Sequence, residues 1–272
     1  ARPVGKYLNG YVKKSTRHRK SAIDDFRPII ESLLSKDSIQ VFYYKRVLWQ
    51  YLKDNHGLDC AQSSFRRYIS NNPEFNEYFK RRKKGYISNK STMRYETAKG
   101  HQAQLDWKEN IEFVLSTGEI VNINIFVLIL SYSRFRVYRL SLDKTQDILF
   151  SFLNESFEIF GGVPKELLTD NMKTVMDEPR TKYSKGKVNN KFQQFANDYG
   201  FKVCPCVAGR PNTKAKVEAP MKLLDEIRAY NGTLDFEELH ELVTKLNNRI
   251  NSSCHTSTGK IPILHLENEK DF

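Results

Sequence analysis

Three acidic residues, Asp106, Asp170 and Glu218, each interrupt the pattern around them. Asp106 stands between Leu105 and Trp107 in an alternating stretch, where a core-facing rhythm is broken by a carboxylate. Asp170 ends the short apolar run Leu167-Leu168 and is followed by Asn171 and Lys173. Glu218 opens a helical pattern after "GRPNTKAK". The three are 64 and 48 positions apart. Carboxylates brought together repel one another unless a cation is present. Their hard oxygens suit Mg2+ or Mn2+. Two such ions, roughly 3.5–4 Å apart, serve phosphoryl transfer by activating the attacking oxygen and stabilising the leaving one. Singly, each acid has a plainer role: Asp170 as a cap, Asp106 in a lysine pair, Glu218 as a first-turn acid favoured by the helix dipole. Together, at one sheet edge, they read as a site.

That edge must be built by the elements around the acids. Residues 103–114, 120–130 and 135–140 read as three antiparallel strands, the middle one turning wholly apolar and buried. Helical spacing follows at Ile148, Leu149, Phe152, Leu153, Phe157 and Phe160, stopped by Gly161-Gly162. A fourth strand over 166–169 leads into a polar loop, 176–188. A helix with Phe192, Phe195, Ala196 and Tyr199 ends at Gly200; the strand "FKVCPC" and a helix after Thr213 complete the unit. The order is strands, helix, strand, helix, strand, helix. It predicts an α/β fold with a ribonuclease H-like core, a mixed five-stranded sheet with helices. In that topology the first and fourth strands are neighbours, so Asp106 and Asp170 meet. Further on, 234–250 is an amphipathic helix, with Asp235 and Glu238 spaced as a capping box.

Upstream lies an all-α unit. "DDFRPIIESLLS" and "YYKRVLWQYLKDNHG" carry helical apolar stripes, with Asp24 as a candidate cap and Gly57 as a stop. "QSSFRRYIS" turns Phe65, Tyr68 and Ile69 inward and leaves Ser63, Ser64, Arg66 and Arg67 for solvent. This is the pattern of a helix-turn-helix whose last helix enters a major groove. Its bland alternative is a helical bundle with a solvated face. The predicted boundaries are a basic linker over 1–22, the helix-turn-helix over 23–79 and a second basic linker over 80–93 with Arg81, Arg82, Lys83 and Lys84. The catalytic core spans 94–232, and a C-terminal helix and linker 233–272.

The net charge of +12 favours a polyanionic partner, nucleic acid above all. Arg210, Lys214 and Lys216 precede Glu218, and Asn171 and Lys173 follow Asp170, so phosphates can be held beside the acids. The four cysteines are scattered, and Cys204-Pro-Cys206 lacks zinc-site spacing. The longest apolar run, 125–130, is far short of a membrane span, and no signal peptide is visible. These features predict an intracellular protein.

The stretches "RYETAKGHQAQLDWKE", "LSYSRFRVY", "FEIFGGVPKELLTDNMKTV", "NNKFQQFANDYGFKVCPC", "GRPNTKAKVEAP" and "HTSTGKIP" cover most of 94–262. In that order and spacing the chain resembles the IstA-type transposases of bacterial insertion sequences, within the DDE transposase and retroviral integrase superfamily. The family's acidic triad falls on Asp106, Asp170 and Glu218. One departure is Ala215, where a glycine is usual. The resemblance implies a transposase of the bacterial cytoplasm, associated with the nucleoid. It would bind the terminal repeats of an insertion sequence, cleave 3′ ends and join them to target DNA with two Mg2+ or Mn2+ ions per site. It further implies double-stranded DNA as partner, a homo-oligomer (dimer or tetramer) that synapses two ends, and an IstB-type AAA+ ATPase. "GKYLNGY" looks like the tail of a first helix-turn-helix. That tail, an expected C-terminal β-barrel and the opening Ala-Arg-Pro lead to the expectation of a piece of a longer protein. The alternatives are a non-catalytic DNA-binding regulator, or domesticated relative, that keeps the integrase-like fold, and a ribonuclease acting on RNA–DNA hybrids. A binding-only protein has no physical use for three crowded carboxylates, and a hybrid ribonuclease has no reason for the helix-turn-helix.

Overall fold

The computed structural model describes residues 20–81, 96–207, 224–256 and 258–270. The chain divides into two compact units, one of residues 1–38 and 44–83, the other of 39–43 and 84–272.

In the first unit a 3-10 turn, Asp24–Phe26, runs into α1 (Arg27–Leu33), followed by α2 (Lys45–His56), α3 (Gln62–Asn71) and α4 (Pro73–Arg81). The stripes read from sequence form its core: Ile30, Leu33, Val47, Leu48, Tyr51, Leu52, Phe65 and Ile69 are buried. Gly57 ends α2 in the left-handed conformation its lack of Cβ permits, φ 69°. Asp24 caps the turn before α1 rather than the helix itself, its Oδ2 accepting the Ser21 N–H at 2.7 Å. Helix α4 is an addition to the expected pattern. Pro73 starts the helix, since a first-turn residue has no need of its N–H. Phe75 and Phe79, one turn apart, are buried. The basic linker expected from residue 80 therefore begins inside this helix; residues 82–93 lie outside the described residues.

The second unit is a five-stranded sheet built from β1 (Gln102–Val114), β2 (Ile120–Leu130), β3 (Arg136–Ser141), β4 (Glu166–Thr169) and, after a small hairpin, the strand Lys202–Pro205. The hairpin is β5 (Met176–Glu178) with β6 (Lys187–Val188), so the last strand is β7. The order is β3-β2-β1-β4-β7. β1, β2 and β3 pair antiparallel, and β4 and β7 add in parallel. This is the expected ribonuclease H-like arrangement. The stretch 176–188, expected as a polar loop, is instead the two-stranded hairpin.

Helices cover both faces, which is why Ile125–Leu130 is apolar without alternation. On one face α5 (Gln146–Phe160) and α6 (Asn190–Tyr199) pack Leu149, Phe152, Phe157, Phe192 and Ala196 against Ala103, Leu105, Trp107, Phe126 and Leu128. On the other, α7 (Phe236–Ser252) and a 3-10 helix, Leu224–Tyr230, set Ile227, Leu239, Val243 and Leu246 against Ile123, Ile125, Val127 and Ile129. A bulge between Lys108 and Ile111, with Asn110 at φ 52°, shifts the register of β1. It transfers the odd-numbered residues from the first face, where Trp107 sits, to the second, where Ile111 and Phe113 sit.

Two expected boundaries move. Residues 233–272 do not stand apart from the core, because α7 closes one face of its sheet and Glu269 reaches back. The Glu269 carboxylate, buried, accepts the N–H groups of Gly100 at 2.9 Å and Ser133 at 3.0 Å. Residues 39–43, expected inside the helix-turn-helix, belong to the second unit: the Val41 N–H donates to the Arg228 carbonyl at 3.0 Å, and the Asn231 side chain to the Ile39 carbonyl at 3.2 Å. A short α8 (Pro262–Glu267) ends the described chain. Among the described residues no helix is long and apolar enough to cross a membrane.

Candidate active site

Parallel pairing of β1 with β4 sets Gln102 against Glu166, Ala103 against Leu167 and Gln104 against Leu168. Asp106 and Asp170 each follow two residues after the last of these pairs. The two acids therefore stand at the same end of neighbouring strands, Asp106 within β1 and Asp170 directly after the last residue of β4. Asp106 is half-buried and its Oδ1 accepts the Trp107 N–H at 2.9 Å; Asp170 is exposed just past the end of β4. By alternation Asp106 shares a face of β1 with Gln104 and Lys108, opposite Leu105 and Trp107. Gln104 is buried, and its Oε1 has no hydrogen-bond partner among the described residues. This part of the edge therefore offers hard oxygens, the donor set that a magnesium or manganese ion takes.

Glu218 lies outside the described residues, as do Arg210, Lys214 and Lys216. The chain that follows them is fixed next to the acids. Asp225, seven residues after Glu218, forms an ion pair with Lys108, two residues along β1 from Asp106. Among the described residues no group of three metal-ligating side chains stands together.

Behind Asp170 the backbone is tied by Asn171, expected from sequence as a phosphate contact. Its amide is engaged with the protein's own backbone. Nδ2 donates to the Cys206 carbonyl at 3.1 Å and the Arg180 carbonyl at 3.4 Å, and Oδ1 accepts the Arg180 N–H at 2.7 Å. The Arg180 guanidinium in turn donates to the Pro205 carbonyl at 2.8 Å. The loop after β4, the hairpin and the end of β7 are thus joined at one residue. No local pattern announces this clamp, because Cys206 is 35 positions away. Lys173 is exposed, free to meet solvent or phosphate. Cys204, on β7, is half-buried; burial, with Glu166 adding to it, pushes its thiol up.

In the other unit Ser63, Ser64, Arg66 and Arg67 are all exposed on α3, on the side away from buried Phe65 and Ile69. The side chains of Arg81, Arg82, Lys83 and Lys84 lie outside the described residues.

Residues 96–211 match the family model of the integrase core domain. A transposase for insertion sequence element IS232 from Bacillus thuringiensis subsp. berliner is 59% identical over 271 residues, 100% of this chain and 63% of that protein. A putative transposase for insertion sequence element IS5376 from Geobacillus stearothermophilus is 33% identical over 264 residues, 95% of this chain and 62% of that protein. Among solved structures, the catalytic core domain of BIV integrase is 14% identical at a TM-score of 0.46, covering 62% of this chain and 96% of that one. The chain spans about three-fifths of the length of the two transposases it matches.

Proposed function

From an integrase core domain with sequence kinship to insertion-sequence transposases, we propose that this chain belongs to a transposase that cuts and joins DNA, of the IstA type. The observation that supports the reading is the parallel pairing of β1 with β4, within the residues that match the integrase core domain, which leaves Asp106 and Asp170 at the same end of neighbouring strands.

Asp106, Asp170 and Glu218 would hold two divalent ions. Once bound, such ions activate the attacking oxygen and stabilise the leaving one in an in-line displacement at phosphorus. Two displacements suffice. Water attacks a phosphodiester at the element's end and leaves a free 3′-hydroxyl; that hydroxyl then attacks a target phosphodiester and displaces a target 3′-oxygen. No side-chain nucleophile takes part. The chain's own residues supply position: Asn171 holds the loop of the second acid, Lys108 holds the segment downstream of the third, and Lys173 offers charge to a phosphate. In the first unit, exposed α3 presents Arg66 and Arg67 for groove and backbone contacts that place the element's ends. Juxtaposition of two ends requires at least two copies of the chain, and delivery to target DNA is assigned to an IstB-type ATPase.

The test is incubation of the protein with labelled candidate element ends and magnesium, with Asp170→Asn alongside. Wild type is expected to release a cleaved strand and form joined products, while Asp170→Asn binds the same DNA and does neither. Strand transfer by Asp170→Asn at the wild-type rate would remove Asp170 from the site. DNA binding without cleavage by the wild type, with metal and correct ends, would favour a regulator.

A further inference from the structure

Between β4 and α6 the chain builds a finger that the acids themselves do not require. Residues 176–188 carry Arg180, Lys182, Lys185 and Lys187; their two acids, Asp177 and Glu178, lie at the root in β5, and the tip, 179–186, has none. The finger is rooted in the core: Met176 is buried there and pairs with Val188, which packs against the same cluster. Its tip is held by its own hydrogen bonds. Thr181 Oγ1 accepts the N–H groups of Tyr183 at 3.1 Å and Ser184 at 3.0 Å, and the Thr181 N–H donates to the Ser184 carbonyl at 3.0 Å. Gly186, at φ 71°, lets the chain return: a Cβ there would lie 2.7 Å from the Glu178 carbonyl oxygen and 2.8 Å from the Arg180 nitrogen.

At this tip Tyr183 is 99% exposed, with Lys182, Lys185 and Lys187 exposed around it. A ring left wholly in water contributes nothing to the core. None of the three lysines is paired with a carboxylate among the described residues. A bare aromatic face among unpaired cations is the chemistry that holds nucleic acid, the cations on phosphates and the ring on a base. The finger's root is also registered to the second acid, since Asn171, next to Asp170, binds both the N–H and the carbonyl of Arg180.

The geometry points to the 176–188 hairpin as a DNA-contact surface beside the acids, with Lys182 and Lys185 on backbone phosphates and Tyr183 stacked on an unpaired base. This rests on DNA being the substrate. A stacked ring at a fixed distance from Asp170 keeps a strand open where the duplex must part for cutting or joining.

The experiment measures binding of the full chain to a fluorescein-labelled random-sequence duplex and to the same duplex with an internal unpaired patch, across a salt series. Tyr183→Ala is expected to weaken binding to the patched duplex roughly ten-fold, with little change on the paired one, and Tyr183→Phe to bind like wild type. Lys182→Ala with Lys185→Ala is expected to weaken both and to lower the slope of log affinity against log salt by about 2. All these side chains are exposed, and circular dichroism confirms the fold of each variant. Wild-type affinity and salt slope in both the Tyr183→Ala and the double-lysine proteins would overturn the finger while leaving the DNA-cutting reading intact. A loss confined to the double-lysine protein would overturn the stacking role. No binding of either duplex by wild type would overturn the finger and the DNA reading together.

Discussion

At the scale of single residues, Asn171 carries the most long-range consequence. It satisfies one N–H and two carbonyls of the backbone, each belonging to a different turn of chain from its own. Asn171→Ala leaves those groups unpartnered, at a cost of about 1–3 kcal/mol. Because the same bonds hold the loop beside Asp170, kcat with manganese is expected to fall by up to about 100-fold, the penalty for a misplaced reacting group. Asn171→Asp does not rescue, since it keeps the acceptor for Arg180 but turns an oxygen toward two carbonyls. Urea unfolding and single-turnover cleavage check both effects. A variant that loses stability but keeps kcat would reduce Asn171 to a structural tie.

Secondary elements do their work through caps and faces. The capping box at the start of α7 is present in both halves: Asp235 Oδ1 accepts the Glu238 N–H at 2.8 Å, and Glu238 Oε2 accepts the Asp235 N–H at 2.9 Å. Since α7 closes one face of the sheet, Asp235→Ala is expected to destabilise the core by about 1 kcal/mol. A melting temperature lower by roughly 2–4 °C in calorimetry is the corresponding reading for a domain of this size. On α3, Arg67 is exposed while Phe65 and Ile69 hold the helix in place. If α3 reads base edges, Arg67→Ala costs about 1–3 kcal/mol on the element's own ends and much less on random DNA. Equal losses on the two DNAs, measured by competition binding, would make it a backbone contact.

For the whole molecule the balance of charge decides. The chain carries a net +12, yet the proposed site gathers carboxylates that repel in the absence of a cation. Manganese is therefore expected to raise the melting temperature, by the equivalent of about 2.7 kcal/mol at a hundred times its dissociation constant. Magnesium alone gives a smaller shift, because it dehydrates reluctantly and takes ligands from substrate phosphates; adding DNA ends enlarges it. Glu218→Gln shrinks the manganese response without unfolding the domain. Identical titrations for wild type and Glu218→Gln would require the third ligand to be sought elsewhere.

Local periodicity was enough to determine most of the elements, though not α4 or the β5–β6 hairpin. Strands over 103–114 and 120–130, the helix stops at Gly57, Gly161 and Gly200, and the capping box at Asp235 follow from alternation, positive φ and side-chain capping, all short-range properties. That β1 and β4 are neighbours was legible too, because strand order in this fold class requires it. Other features depend on residues far apart in sequence. Pro73 begins a helix because Phe75 and Phe79 find a core. The segment 233–272 joins the sheet because Leu239, Val243 and Leu246 meet apolar β2. Asn171 clamps Arg180 and Cys206 because parallel pairing of β4 with β7 brings 169 to 205. The finger's tip could be read as polar and basic, but not as ordered: its shape comes from Met176 buried in a core assembled by distant helices. Pattern decides which face a residue shows; only the packed chain decides what that face meets.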